Sequence, residues 1–250
     1  MMRMTEMVKH LLIINIIFFI GTYLVSNSFD LMALYYFENE QFRFWQPLTH
    51  MFMHGGIAHI LFNMFALVSF GSALEHLWGG KKFLFFYFSC GIGAFLLHTV
   101  VNYIFFHHGL SILVDNGIDK SQIFGILNEG KYNTDWSQYL SSGSLDRMLS
   151  AFFTPVVGAS GAIYGLLVAF TYLYPNAELA LMFIPVPIKA KYFVPVWIFG
   201  FDICYGIIGK YLGMTSSNFA HFAHLGGALV GLIMVWYWKK NQFNKNRWDR

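Results

Sequence analysis

Apolar stretches of 16 to 25 residues recur along this chain, and they constrain it more than any other feature. A bilayer core asks for about 18–20 consecutive apolar residues in a helix. Six stretches approach or exceed this length and are candidate spans, with soft edges: residues 8–26, 57–77, 82–106, 159–174, 192–212 and 220–238. Composition agrees, since only 12% of the 250 residues are charged and 20% are aromatic. Soluble domains carry about 25% charged residues. The first run, "LLIINIIFFIGTYLV" after Arg3 and Lys9, exceeds the length of a signal-peptide core and has no small-x-small cleavage site. It is read as a retained span. Cys90 and Cys204 both fall in apolar stretches, as packing groups and not as a disulfide pair. The net charge is only +3, and no nucleic-acid partner is expected.

Lys and Arg fix the orientation. With the N-terminus inside, eleven of the sixteen lie in cytoplasmic segments and five outside. Both termini are therefore expected inside, and the even-numbered spans run inward. Residues 27–56 become an outer loop rich in interfacial aromatics. Residues 107–148 become a polar outer insertion, either disordered or a small cap. Residues 175–191, broken by proline, are expected as a cytoplasmic interfacial turn. The expectation is a single all-α membrane domain over 1–250.

The informative residues share one depth. The second span opens "HGGIAHILFNMF", with His59 and Asn63 four apart on one helical face. The fourth opens with Ser160 inside "GASGAIYG", and Tyr164 lies four residues on. The sixth opens "AHFAHLGGALVGL", with His221 and His224. Polar side chains in lipid are costly and face the bundle interior or a wet cavity. Taken singly, His50, His54 and His221 read as structural hydrogen-bonding groups. Ser160, His224, His59 and Asn63 converge too closely in depth for that reading. Gly161 and Gly165 on the fourth span, and Ala223, Gly227 and Gly231 on the sixth, form small-residue stripes that let two backbones approach.

From Ser160 to Pro175 there is room for about 15 helical residues, or roughly 22 Å. The hydrocarbon core is about 30 Å thick. The fourth helix is thus expected to start below the outer surface, reached by the non-helical "VVGASG" with bends at Gly158 and Gly161. A serine at a helix start also lies beside free N–H groups and the positive end of the dipole.

These motifs, "HGGIAHILFN", "GASGAIYG", "AHLGG" and "GALVG" in this order, resemble the rhomboid intramembrane serine proteases. The resemblance covers nearly the whole six-span core. It implies Ser160 as nucleophile and His224 as general base, a dyad without a third acid. It implies His59 and Asn63, with the Ser160 N–H, as the oxyanion hole. It implies Tyr164 packed beside the histidine, His54 supporting the outer loop, and Gly227 and Gly231 at a close helix contact. The implied reaction is cleavage of another protein's transmembrane segment near its outer end, without cofactor or metal. Where the family often reads Trp-Arg, this chain has Trp45-Gln46. Asp202 in the fifth span receives no role. Two other readings are a catalytically silent relative that escorts membrane proteins, and a histidine-rich metal site. The compact chain lacks a transit-peptide pattern, so a bacterial plasma membrane is expected. The sequence assigns no oligomeric state.

Overall fold

A computed structural model describes residues 4–181, 184–196, 198, 200 and 220–245. Four helical stretches in it are long and apolar enough to cross a membrane: Glu6–Leu24, Ile57–Trp78, Gly80–Asp115 and His221–Asn241. A shorter apolar helix, Ser160–Leu173, stands among them. Most of the expected fifth span, with Asp202 and Cys204, lies outside the described residues.

Helix α1 (Glu6–Leu24) is fixed at its start by a carboxylate from elsewhere in the chain. Glu75 accepts from the Thr5 hydroxyl at 2.5 Å and from the Met7 and Val8 N–H groups at 3.0 and 2.9 Å. That satisfies donors every helix start leaves open, and puts a negative charge at the positive end of the dipole. The expected loop at 27–56 is ordered by two short helices, α2 (Ser28–Met32) and α3 (Gln46–Thr49), and a 3₁₀ turn at His50–Phe52.

The second span is composite. Helix α4 (Ile57–Ala66) passes through a π turn at Leu67–Gly71 into α5 (Ser72–Trp78). The third, α6 (Gly80–Asp115), runs nine residues past the expected end at 106. Its extension enters the insertion. That segment is folded: α7 (Lys120–Asn128), a 3₁₀ turn at Thr134–Gln138 and α8 (Ser142–Phe153) close over the end of α6. Its own core buries Phe106, Leu113, Ile123, Trp136 and Phe152, and Tyr36 from the 27–56 loop enters the same cluster. Of the two readings of 107–148, the structure takes the cap.

Helix α9 (Ser160–Leu173) sits at the centre of the bundle, with nine of its residues buried. The stretch 175–191 departs from the all-α expectation. It forms a two-stranded antiparallel hairpin, β1 (Glu178–Leu181) and β2 (Ile184–Lys189), pairing Glu178 with Lys189 and Leu179 with Ile188. Pro185 and Pro187 forbid a helix there and suit an edge strand. Helix α10 (Ala190–Pro195) follows, and α11 (Ala220–Lys245) closes the chain against α6 and α9.

Candidate active site

The site begins with the path of the chain into α9. Leu34 and Val156 exchange both backbone hydrogen bonds at 2.9 Å, and the Gly158 N–H donates to the His50 carbonyl at 2.9 Å. The irregular backbone before α9 is therefore paired with the 27–56 loop instead of being left open, as an apolar medium requires. Gly158 takes φ +126°, a region closed to ordinary side chains. A Cβ there would lie 2.8 Å from His59 Nε2. The glycine thus serves the backbone path and leaves room for the imidazole.

Ser160 is the first residue of α9, where N–H groups have no acceptor within the helix. Its Oγ lies 2.8 Å from His224 Nε2 on α11. For the hydroxyl to donate, His224 must hold its proton on Nδ1. The Tyr164 ring lies flat against the imidazole, with centroids 4.2 Å apart and planes within 8°. Stacking of this kind restricts rotation of the histidine ring.

Small residues set the separation between α9 and α11. A Cβ on Gly227 would fall 1.8 Å from the Gly161 carbonyl oxygen, and one on Gly231 would fall 2.7 Å from Gly165 Cα. The two stripes face each other, and any larger residue would separate the helices that carry Ser160 and His224. Gly161 also faces Ala94 on α6, so three helices meet at this level.

His59 and Asn63 project from α4, which packs against α9. The Gly55 N–H approaches His59 Nδ1 at 3.4 Å. That contact makes Nδ1 the acceptor and places the ring proton on Nε2, the nitrogen beside Gly158. Asn63 is buried, and its Nδ2 has no hydrogen-bond partner among the described residues. A buried amide donor left open costs stability unless something occupies it. His54 is buried edge-on to His59, with ring centroids 5.0 Å apart. The His54 ring packs against His59 and also lies close to the backbone of Phe52 in the same loop. Burial lowers the pKa of His54 to about 4.

Two residues do more than sequence reasoning gave them. His50 is buried, pairs its Nδ1 with the Gln46 carbonyl at 2.9 Å and lines a cavity of about 20 Å³ beside Ser160 and His224. A cavity needs about 10–15 Å³ of such space for one water. Burial holds the pKa of His50 down at about 4. Gln46, fully buried, accepts from the Tyr35 N–H at 3.2 Å and donates to the carbonyls of Gln41 at 3.0 Å and Asp30 at 3.3 Å. The glutamine that replaces the family's arginine anchors the loop through neutral hydrogen bonds. Its burial was not legible, because no periodicity marks a loop residue. Among the described residues no three His, Cys, Asp or Glu side chains converge as metal ligands.

Fold and site define a helical multi-pass membrane protein with polar groups gathered at one end of the bundle. A family model described as the rhomboid domain matches residues 41–115 and 132–241, and the protein belongs to the rhomboid family. The mitochondrial rhomboid protein 1 of Saccharomyces cerevisiae is 27% identical over 190 residues, covering 76% of this chain and 40% of that protein. The human presenilin-associated rhomboid-like protein, mitochondrial, is 26% identical over 200 residues, covering 78% and 39%. The rhomboid protease GluP of Bacillus subtilis is 40% identical over 70 residues, covering 27% of this chain and 14% of its own length. The chain spans less than half the length of these curated relatives. Two of the three are named mitochondrial, at odds with the bacterial plasma membrane expected from sequence; a membrane location is common to both.

Proposed function

We propose that the protein is an intramembrane serine endopeptidase that cuts transmembrane segments of other membrane proteins with a Ser160–His224 dyad. The observation that carries this reading is the 2.8 Å contact between Ser160 Oγ and His224 Nε2, under a stacked Tyr164. His224 takes the serine proton as Oγ attacks a peptide carbonyl, then returns it to the leaving amine. The tetrahedral oxyanion is received by the Ser160 N–H, His59 Nε2–H and the open Asn63 amide. One such donor commonly contributes 10²–10³ in rate. Water for deacylation has a place in the cavity beside the dyad. The substrate segment must unwind to present extended backbone to Ser160. The name of the Bacillus relative, a protease, supports the same chemistry.

A fluorophosphonate probe tests the assignment on the full chain in detergent. Labelling is expected in the wild type and absent in Ser160→Ala and His224→Ala, with cleavage of a transmembrane substrate lost in parallel. Undiminished labelling of Ser160→Ala would remove the nucleophile assignment.

A further inference from the structure

A second concavity lies along the bundle, and neither Ser160 nor His224 lines it. It is a groove of about 390 Å³ between α9, the α10 segment and α11. Its walls include Val168 and Tyr172 from α9, Val194 and Ile198, and Leu229 and Leu232 from α11. Along α9 its walls lie about 12 to 18 Å beyond Ser160, while on α11 they start at Leu225, next to His224, and run down to Leu232. The size falls in the range of small-ligand pockets, about 300–1,000 Å³. Leu229 and Leu232 remain exposed, at 53% and 43%, so the groove opens sideways, toward where lipid would lie.

Its far end is marked by cations. Lys239 lies seven residues after Leu232, on the same face of α11, and its Nζ sits 4.8 Å from the centre of the Tyr172 ring. Lys191 precedes Val194 by three residues on α10, one turn toward the same end. An apolar trough that ends beside the Lys239 ammonium, with Lys191 one helical turn before the wall residue Val194, matches a hydrocarbon chain that ends in an anionic head. From this charge complementarity we infer that the groove binds one acyl chain of an anionic phospholipid in the leaflet opposite the dyad, with its phosphate held by Lys239 and Lys191. Leaflets rich in such lipids attract cationic segments electrostatically. The site is independent of the proteolytic reading, because no wall residue named here belongs to the dyad or its oxyanion donors.

Native mass spectrometry of the full chain in detergent tests this, with dioleoyl phosphatidylglycerol and dioleoyl phosphatidylcholine as probes in equal amounts. The wild type is expected to retain one phosphatidylglycerol at least fivefold over phosphatidylcholine. Lys239→Glu is expected to abolish that preference. Leu232→Trp, which fills the trough, is expected to lower retention of both lipids. Leu229→Phe repeats the filling at a more exposed position, in case Leu232→Trp does not fold. Melting curves like the wild type's would show each variant intact. Equal retention of the two lipids by the wild type, or an unchanged preference in Lys239→Glu, would overturn the inference. So would a chain-to-chain cross-link that the filling variants remove, since it would give the groove to a second copy.

Discussion

Two regions of this molecule are held together by opposite means. Where α9 meets α11, the contact is made by glycines, and main chain touches main chain. In the cap over the end of α6, the contact is made by rings: Phe106 stacks on Phe152 at 5.3 Å, and Tyr36 and Phe124 close around Phe106 at 5.2 and 5.5 Å. The contrast follows from solvent. In lipid, burying an apolar side chain gains nothing over leaving it among acyl chains, so helices associate through close approach and dispersion. In water, burial of large apolar surface drives association, and aromatics supply most per residue. The chain has built one region for each medium and joined them end to end through a single 36-residue helix.

Several substitutions test the division. The largest effect is expected from Phe152→Ala, which empties the centre of the cap. A buried phenylalanine lost this way costs about 3–5 kcal/mol. Hydrogen exchange should rise across 120–153 while the dyad still reacts with a fluorophosphonate; a matching loss of labelling would show that cap and bundle are one cooperative unit. Gly227→Ala should cost about 1–3 kcal/mol by overpacking, because the carbonyl it meets cannot step aside. Here labelling should fall together with thermal stability. A variant that melts and labels like the wild type would remove the glycine contact as the determinant of the dyad.

Acid should act on the loop between the two regions. His50 and His54 are buried with pKa values lowered by desolvation to about 4, whereas the unfolded chain takes up those protons near 6.5. Their contribution is therefore complete above about pH 6.5 and drains away as pH falls toward 4. Melting temperature should drop across that window, and His54→Gln should flatten the slope; an equally steep slope would assign the loss to other groups. The smallest effect belongs to the surface latch between His107 and Glu38, 2.8 Å apart and partly exposed. Glu38→Gln should cost about 0.2–1 kcal/mol. It should speed exchange only near residues 36–42.

The bundle was more legible in the sequence than the cap, for a physical reason. A lipid environment imposes long apolar runs, and the motif residues sit at helix starts where spacing fixes depth. Ser160, His224, His59 and Asn63 were placed at one depth by that logic, and the structure brings Ser160 and His224 within 2.8 Å, with Tyr164, which the resemblance set beside the histidine, stacked on it. The cap yields no such signal. The Asp, Asn, Ser and Gly that made 107–148 look irregular are in fact its punctuation. Asp119, Asn133 and Ser141 accept backbone N–H groups at the starts of α7, the 3₁₀ turn and α8, and Gly117 with φ +86° ends α6. Caps are short-range chemistry, read only once helix boundaries are known. The hairpin at 178–189 was missed because its prolines were read as a break and not as strand residues.

The π turn at Leu67–Gly71 lets one rod serve two masters. A turn holding one extra residue rotates everything after it by about 100° against the numbering of an uninterrupted helix. Upstream, His59 is aimed at Gly158, two residues before Ser160; downstream, Glu75 is aimed at the first turn of α1. Shortening this segment by a single amino acid would straighten the winding and leave only one half in register, so either the carboxylate would abandon the N-terminal helix or the imidazole would swing away from Gly158.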